Sequence, residues 1–449
     1  MNFRRKSMLL LGSLAFLAGC SADGSGSPGA SGGVDNHGGA GSGATPAGGT
    51  TAGIGIAGTA GSANSEGGAA TSAGSGGRPT IGGSGGTSDS GGATAGGASG
   101  AGGASASGGE GSSLPDSRYW LGVDVSFEET QPEATREALL STLKAHGINS
   151  VRLRTFVDPT AADGYNKSGA CDLAHTIGFG KQIKAAGMSF LLDFHYSDNW
   201  ADPGKQCVPI AWQGYTTVAQ LATAMHDYTK DAITQLIEGG ARPDMVQIGN
   251  ETTPGLLIHR CDGSGKPTGS NPVSGSTSNW ANLGPLLKAG VDGVKEVDSK
   301  ILVAFHIAKG GDHTDGSSAL QTSVTWLTNA LKYTPVDAFG ESCYQTYQGD
   351  ESSTTKTKTI WQNTEGGLAS KFPKVRIFAA EYGSAERELN DVIFNLPNQQ
   401  GLGSFYWEPT LEGDWNRGHT LLSRSGSMYL AKPDLALYDQ MKADYASRL

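Results

Sequence analysis

Residues 244–251 read Asp-Met-Val-Gln-Ile-Gly-Asn-Glu, and residues 375–382 read Val-Arg-Ile-Phe-Ala-Ala-Glu-Tyr. Each is a short apolar run that closes on an acid, Glu251 in the first and Glu381 in the second. A carboxylate at the end of a buried strand is costly unless it is paired, hydrogen-bonded or used. Working outward, the same kind of run recurs. Short β-branched or aromatic segments lie at residues 119–126, 150–156, 189–196, 244–251, 301–307, 336–344, 375–382 and 403–408. Between several of them the period changes to that of an amphipathic helix, at residues 132–146, 173–186, 218–238, 280–297 and 319–332. Strands alternating with helices imply parallel pairing, and eight such units imply closure into a (β/α)8 TIM barrel. The first strand is followed by no glycine-rich phosphate loop, which counts against an open doubly wound sheet.

The chain has 449 residues, of which 69 are glycine. The glycine is concentrated before the barrel. Residues 20–114 are almost all Gly, Ser, Ala and Thr, with no aromatic side chain. Such a stretch holds too little apolar surface to offset the entropy of ordering it, so it reads as a flexible tether. Residues 115–449 are expected to fold as one large domain, the (β/α)8 barrel. Ahead of the tether, Arg4, Arg5 and Lys6 precede a short apolar run ending Leu17-Ala18-Gly19-Cys20. This has the form of a lipoprotein signal over residues 1–19, with Cys20 as the lipidated residue. The expectation is an exported bacterial lipoprotein, attached to the outer membrane or cell surface or released from it, and touching membrane only through its lipid.

The net charge is −10, and the only basic block is at the extreme N-terminus. That argues against nucleic acid or a polyanion as ligand and suits a neutral one. Cys171, Cys207, Cys261 and Cys343 remain after Cys20. An oxidising compartment permits a disulfide. The first three fall in loops that share the barrel mouth, so one bridge among them is expected, with Cys343 a buried thiol. No Cys/His spacing suggests zinc.

Polar residues gather at the C-terminal ends of the predicted strands, which a barrel brings together at its catalytic face. Strand one ends in Asp124, strand two carries Arg152 and Arg154, and strand three ends Asp193-Phe194-His195-Tyr196. Asn250 precedes Glu251, His306 ends strand five, Glu341 and Tyr344 end strand six, and Trp407-Glu408 end strand eight. Two carboxyls held across a sugar are the machinery of glycoside hydrolysis. On this reading Glu251 and Glu381 are the two catalytic carboxyls. Arg154, with Arg152 beside it, keeps Glu381 ionised. Asn250 meets the sugar 2-hydroxyl, and His195, Tyr344 and Trp407 shape the sugar site. Arg152, Asp193, Trp200 and Glu408 support it, as do Asp124, Asp198 and Asp202. Trp200 and Trp212 are either outer sugar platforms or loop packing. Glu341 is a spare strand-end carboxylate that could face substrate.

The run Leu192-Asp193-Phe194-His195-Tyr196-Ser197-Asp198-Asn199-Trp200-Ala201-Asp202-Pro203-Gly204-Lys205-Gln206 closely resembles a signature of the endo-β-1,4-galactanases, glycoside hydrolase family 53. Residues 150–154, 246–252 and 401–409 resemble further signatures in the same order. The resemblance covers most of residues 119 to about 415. It implies a (β/α)8 fold and retention of anomeric configuration, with β-1,4-galactan, the backbone of type I arabinogalactan in pectin, as substrate. It assigns Glu251 as acid/base and Glu381 as nucleophile. It also implies that no cofactor is required. Some bacterial members bind structural calcium, for which Asp312 or Asp315 would serve. The chain departs from the family pattern at Cys343-Tyr344-Gln345-Thr346-Tyr347 and at His306-Ile307-Ala308-Lys309-Gly310, both on the sugar-binding face. Another β-glycanase of the same clan, acting on mannan, xylan or glucan, is an alternative. So is a catalytically silent glycan-binding lipoprotein. A monomer is expected.

Overall fold

The computed structural model describes residues 118–411 and 419–449. The predicted signal peptide, Cys20 and the predicted tether lie outside the described residues. Eight parallel strands close into a barrel: β1 (Trp120–Asp124), β2 (Ser150–Thr155), β3 (Ser189–Phe194), β4 (Met245–Ile248), β5 (Leu302–Ile307), β6 (Ala338–Ser342), β7 (Arg376–Tyr382) and β8 (Gly401–Trp407). Each strand pairs with its sequence neighbours, and β8 closes the ring on β1, with Trp120 opposite Gly403 and Asp124 opposite Trp407. The (β/α)8 fold expected from the sequence is the fold observed.

The helices α1 (Glu133–Ala145), α2 (Leu173–Ala185), α3 (Val218–Glu238), α4 (Trp280–Val297), α5 (Ser317–Ala330), α6 (Thr354–Lys371), α7 (Glu386–Phe394) and α8 (Ala436–Asp444) follow the strands in turn. Their starts have local causes. The Asp172 carboxylate accepts from His175 N–H at the head of α2, and Thr217 and Gln220 cap α3 reciprocally. Among the described residues no helix is long and apolar enough to cross a membrane.

Strand alternation sorts the core into two parts. Outward residues such as Leu121, Val123, Leu153, Val303 and Phe339 pack against the helices. Inward residues Trp120, Leu191, Met245, Ala304, Ala338, Phe378 and Phe405 form a separate apolar plug inside the barrel. Gly122 and Gly340 are the small partners of that plug, since a side chain on either would run into the Phe405 or Phe378 ring. Inward positions above the plug are polar: Asp124, Arg152, Arg154, Asp193, Gln247, His306 and Ser342, all buried. The plug seals one end, so the polar layer faces the other.

Several strands end sooner than the sequence suggests because the chain turns sharply there. Tyr196, Gly249, Glu251 and Glu408 all have positive φ, of 50°, 84°, 47° and 49°. For the three that are not glycine this left-handed backbone costs roughly 1–3 kcal/mol each, a strain that concentrates at functional sites. The ends of β6 and β7 are irregular too. Their register shifts between Glu341 and Ser342, where Ser342 comes opposite Glu381. Such a bulge re-aims side chains at the rim of a barrel.

One bridge joins Cys207 to Cys261, tying the loop after β3 to the loop after β4. Cys171 and Cys343 are buried thiols.

Candidate active site

The polar layer is organised around one guanidinium. Arg152 on β2 is 1% exposed. Its Nη1 donates to Asp124 Oδ2 at 2.7 Å and stands 3.0 Å from Glu381 Oε1. Its Nη2 donates to Asp193 Oδ2 and to Asn250 Oδ1, both at 2.8 Å. The arginine therefore serves three carboxylates and the amide that precedes Glu251.

Arg154, two residues on, faces the same way but sits elsewhere. Its partners are Glu408 Oε1 at 2.8 Å and Asp124 Oδ1 at 3.7 Å. Its guanidinium also lies over the Phe127 ring at 4.4 Å and the Trp200 ring at 4.3 Å. The expectation that Arg154 holds Glu381 is thus corrected: Arg152 does. The reason is height along β2, because Arg152 lies opposite Asp124 and Leu191 whereas Arg154 lies one layer nearer the rim, opposite Asp193.

Glu381 also accepts a hydrogen bond from the Tyr344 hydroxyl at 3.0 Å. Burial raises the Tyr344 phenol well above its ordinary range, and both glutamates add to this, so it stays a donor. Burial pushes Glu381 up to about 7; Arg152 pulls it down, and Asp124 and Asp193 push it up. Burial and the charge of Glu381 push Glu251 up to about 8. Glu251 thus holds the more tightly bound proton of a mutually repelling pair.

Glu251 lies just past β4 and is partly exposed at the mouth. Ser342 Oγ lies 2.6 Å from its Oε1. Asn250 is spent inside the protein on one side. Its Oδ1 takes Arg152, and its Nδ2 donates to Ala201 O at 2.8 Å. Gln206 Nε2 donates to Asn250 O at 2.8 Å, beside the Cys207 bridge, and so ties the acid-bearing turn to the β3 loop.

His195 is fixed by both ring nitrogens. Nδ1 accepts from Ala201 N–H at 3.0 Å, and Nε2 faces Asp193 Oδ2 at 3.1 Å. Burial lowers its pKa, so the ring is neutral with its proton on Nε2. It acts on the site through Asp193 and offers no spare nitrogen to a sugar. Burial pushes Asp193 upward, but Arg152 and His195 together bring it below the usual carboxylate range. Phe127, Trp200 and Trp407 form an aromatic wall at the rim, with ring centroids 5.9–6.3 Å apart. Trp200 is therefore the clamp of Arg154 as well as a surface. Trp212 is buried against Tyr196 and Tyr228 as loop packing. Glu408 supports Arg154 and Phe127 N–H. Asp198 holds the backbone N–H groups of Asp158 and Ile210, and Asp202 that of Gly204.

Glu341 does not face the site. Odd parity on β6 turns it outward, where its carboxyl accepts from Ser323 on α5 and shares a buried niche with Glu365 on α6. The alternation Phe339, Glu341 against Gly340, Ser342 is the signal that would have placed it. Asp312 is a poor calcium ligand as folded. Its Oδ1 accepts from the N–H groups of Thr314 and Gly316, and its Oδ2 from Ala319 N–H. Asp315 likewise accepts from Ser317 N–H. Among the described residues no group of three or more His, Cys, Asp or Glu gathers at metal distance. Among the described residues, the surroundings of Asp312 and Asp315 do not form a calcium site.

Three residues here were given no part in the site by sequence reasoning, Ser342, Gln247 and Gln206, while His306 was placed on the sugar-binding face without a role. Gln247 Nε2 donates to Asp193 Oδ1 at 2.5 Å, and His306 lies against Gln247, Asn250 and Ser342.

A closed parallel barrel that presents two coupled carboxyls at the mouth, above a sealed plug, has the architecture of a carboxylate-dependent glycosidase. Residues 121–383 match the model of Glycosyl hydrolase family 53. An arabinogalactan endo-β-1,4-galactanase of Thermothelomyces thermophilus is 31% identical over 67% of this chain and 91% of its own length. An uncharacterised protein of Niallia circulans is 31% identical over 68% of this chain and 88% of its own. The solved catalytic domain of an Ignisphaera aggregans family 53 protein superposes with a TM-score of 0.56 at 25% identity, covering 72% of this chain and 97% of that one. A solved fungal β-1,4-galactanase gives 0.56 at 27% identity, covering 72% and 99%. The chain belongs to glycosyl hydrolase family 53 and is a glycosidase.

Proposed function

We propose that this glycosidase is an arabinogalactan endo-β-1,4-galactanase, cleaving β-1,4-galactan by double displacement with retention. The observation that carries the chemistry is the pair Glu251 and Glu381, coupled in charge and held by different partners. Glu381, ionised beside Arg152 and Tyr344, attacks the anomeric carbon and forms a glycosyl-enzyme. Glu251 gives its proton to the departing oxygen. Esterification removes the charge of Glu381 that helped raise Glu251, so Glu251 becomes the stronger acid and is left as a carboxylate. It then takes a proton from water, which attacks the anomeric carbon and frees Glu381. Side chains and water supply every proton, so the reaction calls for no cofactor. The names of the relatives support galactan as substrate. The aromatic wall of Phe127, Trp200 and Trp407 suits the apolar face of an uncharged sugar.

In the same proposal residues 115–449 are the catalytic domain, working as a monomer. The Cys20 lipid anchors it after residues 1–19 are removed, and residues 20–114 let it range over polysaccharide at the cell surface. The Cys207–Cys261 bridge suits such an exported chain. The test is reducing-sugar release by the full chain on β-1,4-galactan, β-mannan, xylan and carboxymethyl cellulose, beside Glu251→Gln and Glu381→Gln. Release from galactan alone, lost in both variants, supports the proposal. Release from another glycan moves the substrate, and undiminished release by either variant removes that glutamate from its role.

A further inference from the structure

We infer that His306 and Ser342 are positioning residues that form a one-way hydrogen-bond chain onto Glu251 Oε1, which leaves Glu251 Oε2 as the oxygen that carries the catalytic proton. This rests on Glu251 being the acid and base. His306 lies buried on β5. Burial, and after it the charge of Arg152, hold its pKa well below the ordinary value; Asp193 opposes this and His195 adds to it. The ring is therefore neutral, with one N–H and one bare nitrogen.

The bare nitrogen is Nδ1. The Glu251 backbone N–H donates to it at 3.3 Å and has no other partner among the described residues. A backbone N–H can only donate. The Gln247 side-chain nitrogen stands 3.2 Å from the same Nδ1. Its hydrogen bond to ionised Asp193 at 2.5 Å identifies it as the amide nitrogen, and its second hydrogen is left for the ring. A proton on Nδ1 would face both donors and strand a buried backbone N–H. Asn250 Oδ1, 3.0 Å away, already receives Arg152 and needs nothing from the ring.

Nε2 therefore carries the ring proton and donates to Ser342 Oγ at 3.0 Å. The register shift at the end of β6 aims that oxygen into the mouth. Because Ser342 receives His306, its own proton goes to Glu251 Oε1, 2.6 Å away. Oε1 accepts this bond whether Glu251 is ionised or protonated, so the acid proton sits on Oε2. In the first step the Oε2–H bond breaks and the proton passes to the departing glycosidic oxygen. In the second, Oε2 takes a proton from the attacking water. Ser342 and His306 keep their own protons throughout. One ring thus receives the backbone N–H of Glu251 and, through Ser342, fixes its carboxyl. A hydrogen bond to a charge is the stronger, so the chain favours ionised Glu251. Of the other charges that face Glu251, Glu381 and Asp202 raise its pKa and Arg152 lowers it.

The experiment reads the ring first. In 15N NMR of the histidines of the full chain, His306, assigned by its loss in His306→Asn, should carry its proton on Nε2 at every pH across the titration of Glu251. A proton on Nδ1 overturns the proposal. The second reading is kcat/KM on glycan against pH. Ser342→Ala takes the donor from Oε1, so the alkaline limb set by Glu251 moves up by roughly half to one pH unit. His306→Asn keeps an acceptor for the Glu251 N–H but loses the Nε2 donor, and moves the limb the same way by less. A dinitrophenyl glycoside, whose departure needs no acid, should show no such limb in the wild type or in either variant. An unmoved limb on glycan overturns the proposal, as does a limb that moves equally on both substrates. If Ser342→Ala does not fold, His306→Asn and the wild-type tautomer decide. Glu251→Gln is the separate control. Full activity there sinks the acid/base reading itself, whichever nitrogen of His306 holds the proton.

Discussion

Arg152 Nη1 stands 3.0 Å from Glu381 Oε1 while the same guanidinium holds Asp124 and Asp193. One cation, 1% exposed, thus offsets three buried carboxylates. Removing one partner of a buried ion pair costs about 3–5 kcal/mol, because the other charge is left without compensation. Arg152→Gln should therefore lower the melting temperature markedly. Arg152 also pulls the Glu381 pKa down, so its loss lets that pKa rise. The nucleophile then ionises only at higher pH, and the acidic limb of kcat/KM should move upward. Arg152→Lys keeps the charge but not the fork, and should recover more stability than activity. A melting curve and a pH–rate profile for both variants check this.

The wild-type profile should itself be bell-shaped and narrow. Activity needs Glu381 ionised and Glu251 protonated, and these lie at about 7 and about 8. The limbs belong to the pair as a whole, since each charge moves the other. The optimum of kcat/KM is expected between them, near neutrality. Limbs several units apart would mean that the charge of Glu381 lifts Glu251 further than this, since repulsion between two carboxyls drives their ionisations apart.

The barrel was legible because its strands are β-branched runs and most of its outer helices keep a clear period. Residues 280–297 were expected as a helix and are α4. Helix α6 was not foreseen. Its sequence, Thr-Thr-Lys-Thr-Lys-Thr-Ile-Trp-Gln-Asn-Thr-Glu-Gly-Gly-Leu-Ala-Ser-Lys, is rich in Thr and Gly and has little apolar pattern, so packing of Ile360, Trp361 and Leu368 decides it. In the site, the two glutamates announce themselves as acids ending apolar runs. The choice between Arg152 and Arg154 does not, since both share a face and only the register separates them. Ser342 is one hydroxyl in a chain rich in serine, and its meaning comes from a bulge that sequence does not display.

Gln206 gives a test of how the acid-bearing turn is held. Its Nε2 reaches Asn250 O at 2.8 Å, and it precedes Cys207 of the bridge to Cys261. Gln206→Ala should lower kcat roughly tenfold through a looser Glu251, with KM changing less. Cys261→Ser should act first on stability. A bridge closing a loop of 54 residues contributes about 4 kcal/mol by loss of unfolded-chain entropy. Kinetics and melting measured on both variants separate the two effects. A Gln206→Ala enzyme with wild-type kcat would show that the turn holds itself.

The second carboxyl pair predicts how stability depends on pH. Glu341 and Glu365 lie buried behind β6, against Ser323 and Cys343, away from the mouth. Burial pushes Glu365 up to about 8, and burial together with Glu365 lifts Glu341 well above its ordinary value. Both are protonated in the folded chain at pH values where the unfolded chain has released its protons, above about 4.5. The folded state then binds more protons, so this pair makes stability fall as pH rises from about 4.5 to about 8. Glu365→Gln keeps the shape and a donor while removing one ionisation. It should leave the melting temperature near pH 4.5 almost unchanged, raise it near pH 8 relative to wild type, and leave kcat/KM on glycan intact. Equal melting shifts at both pH values would show that the niche is held by shape alone, with no proton shared between the two acids.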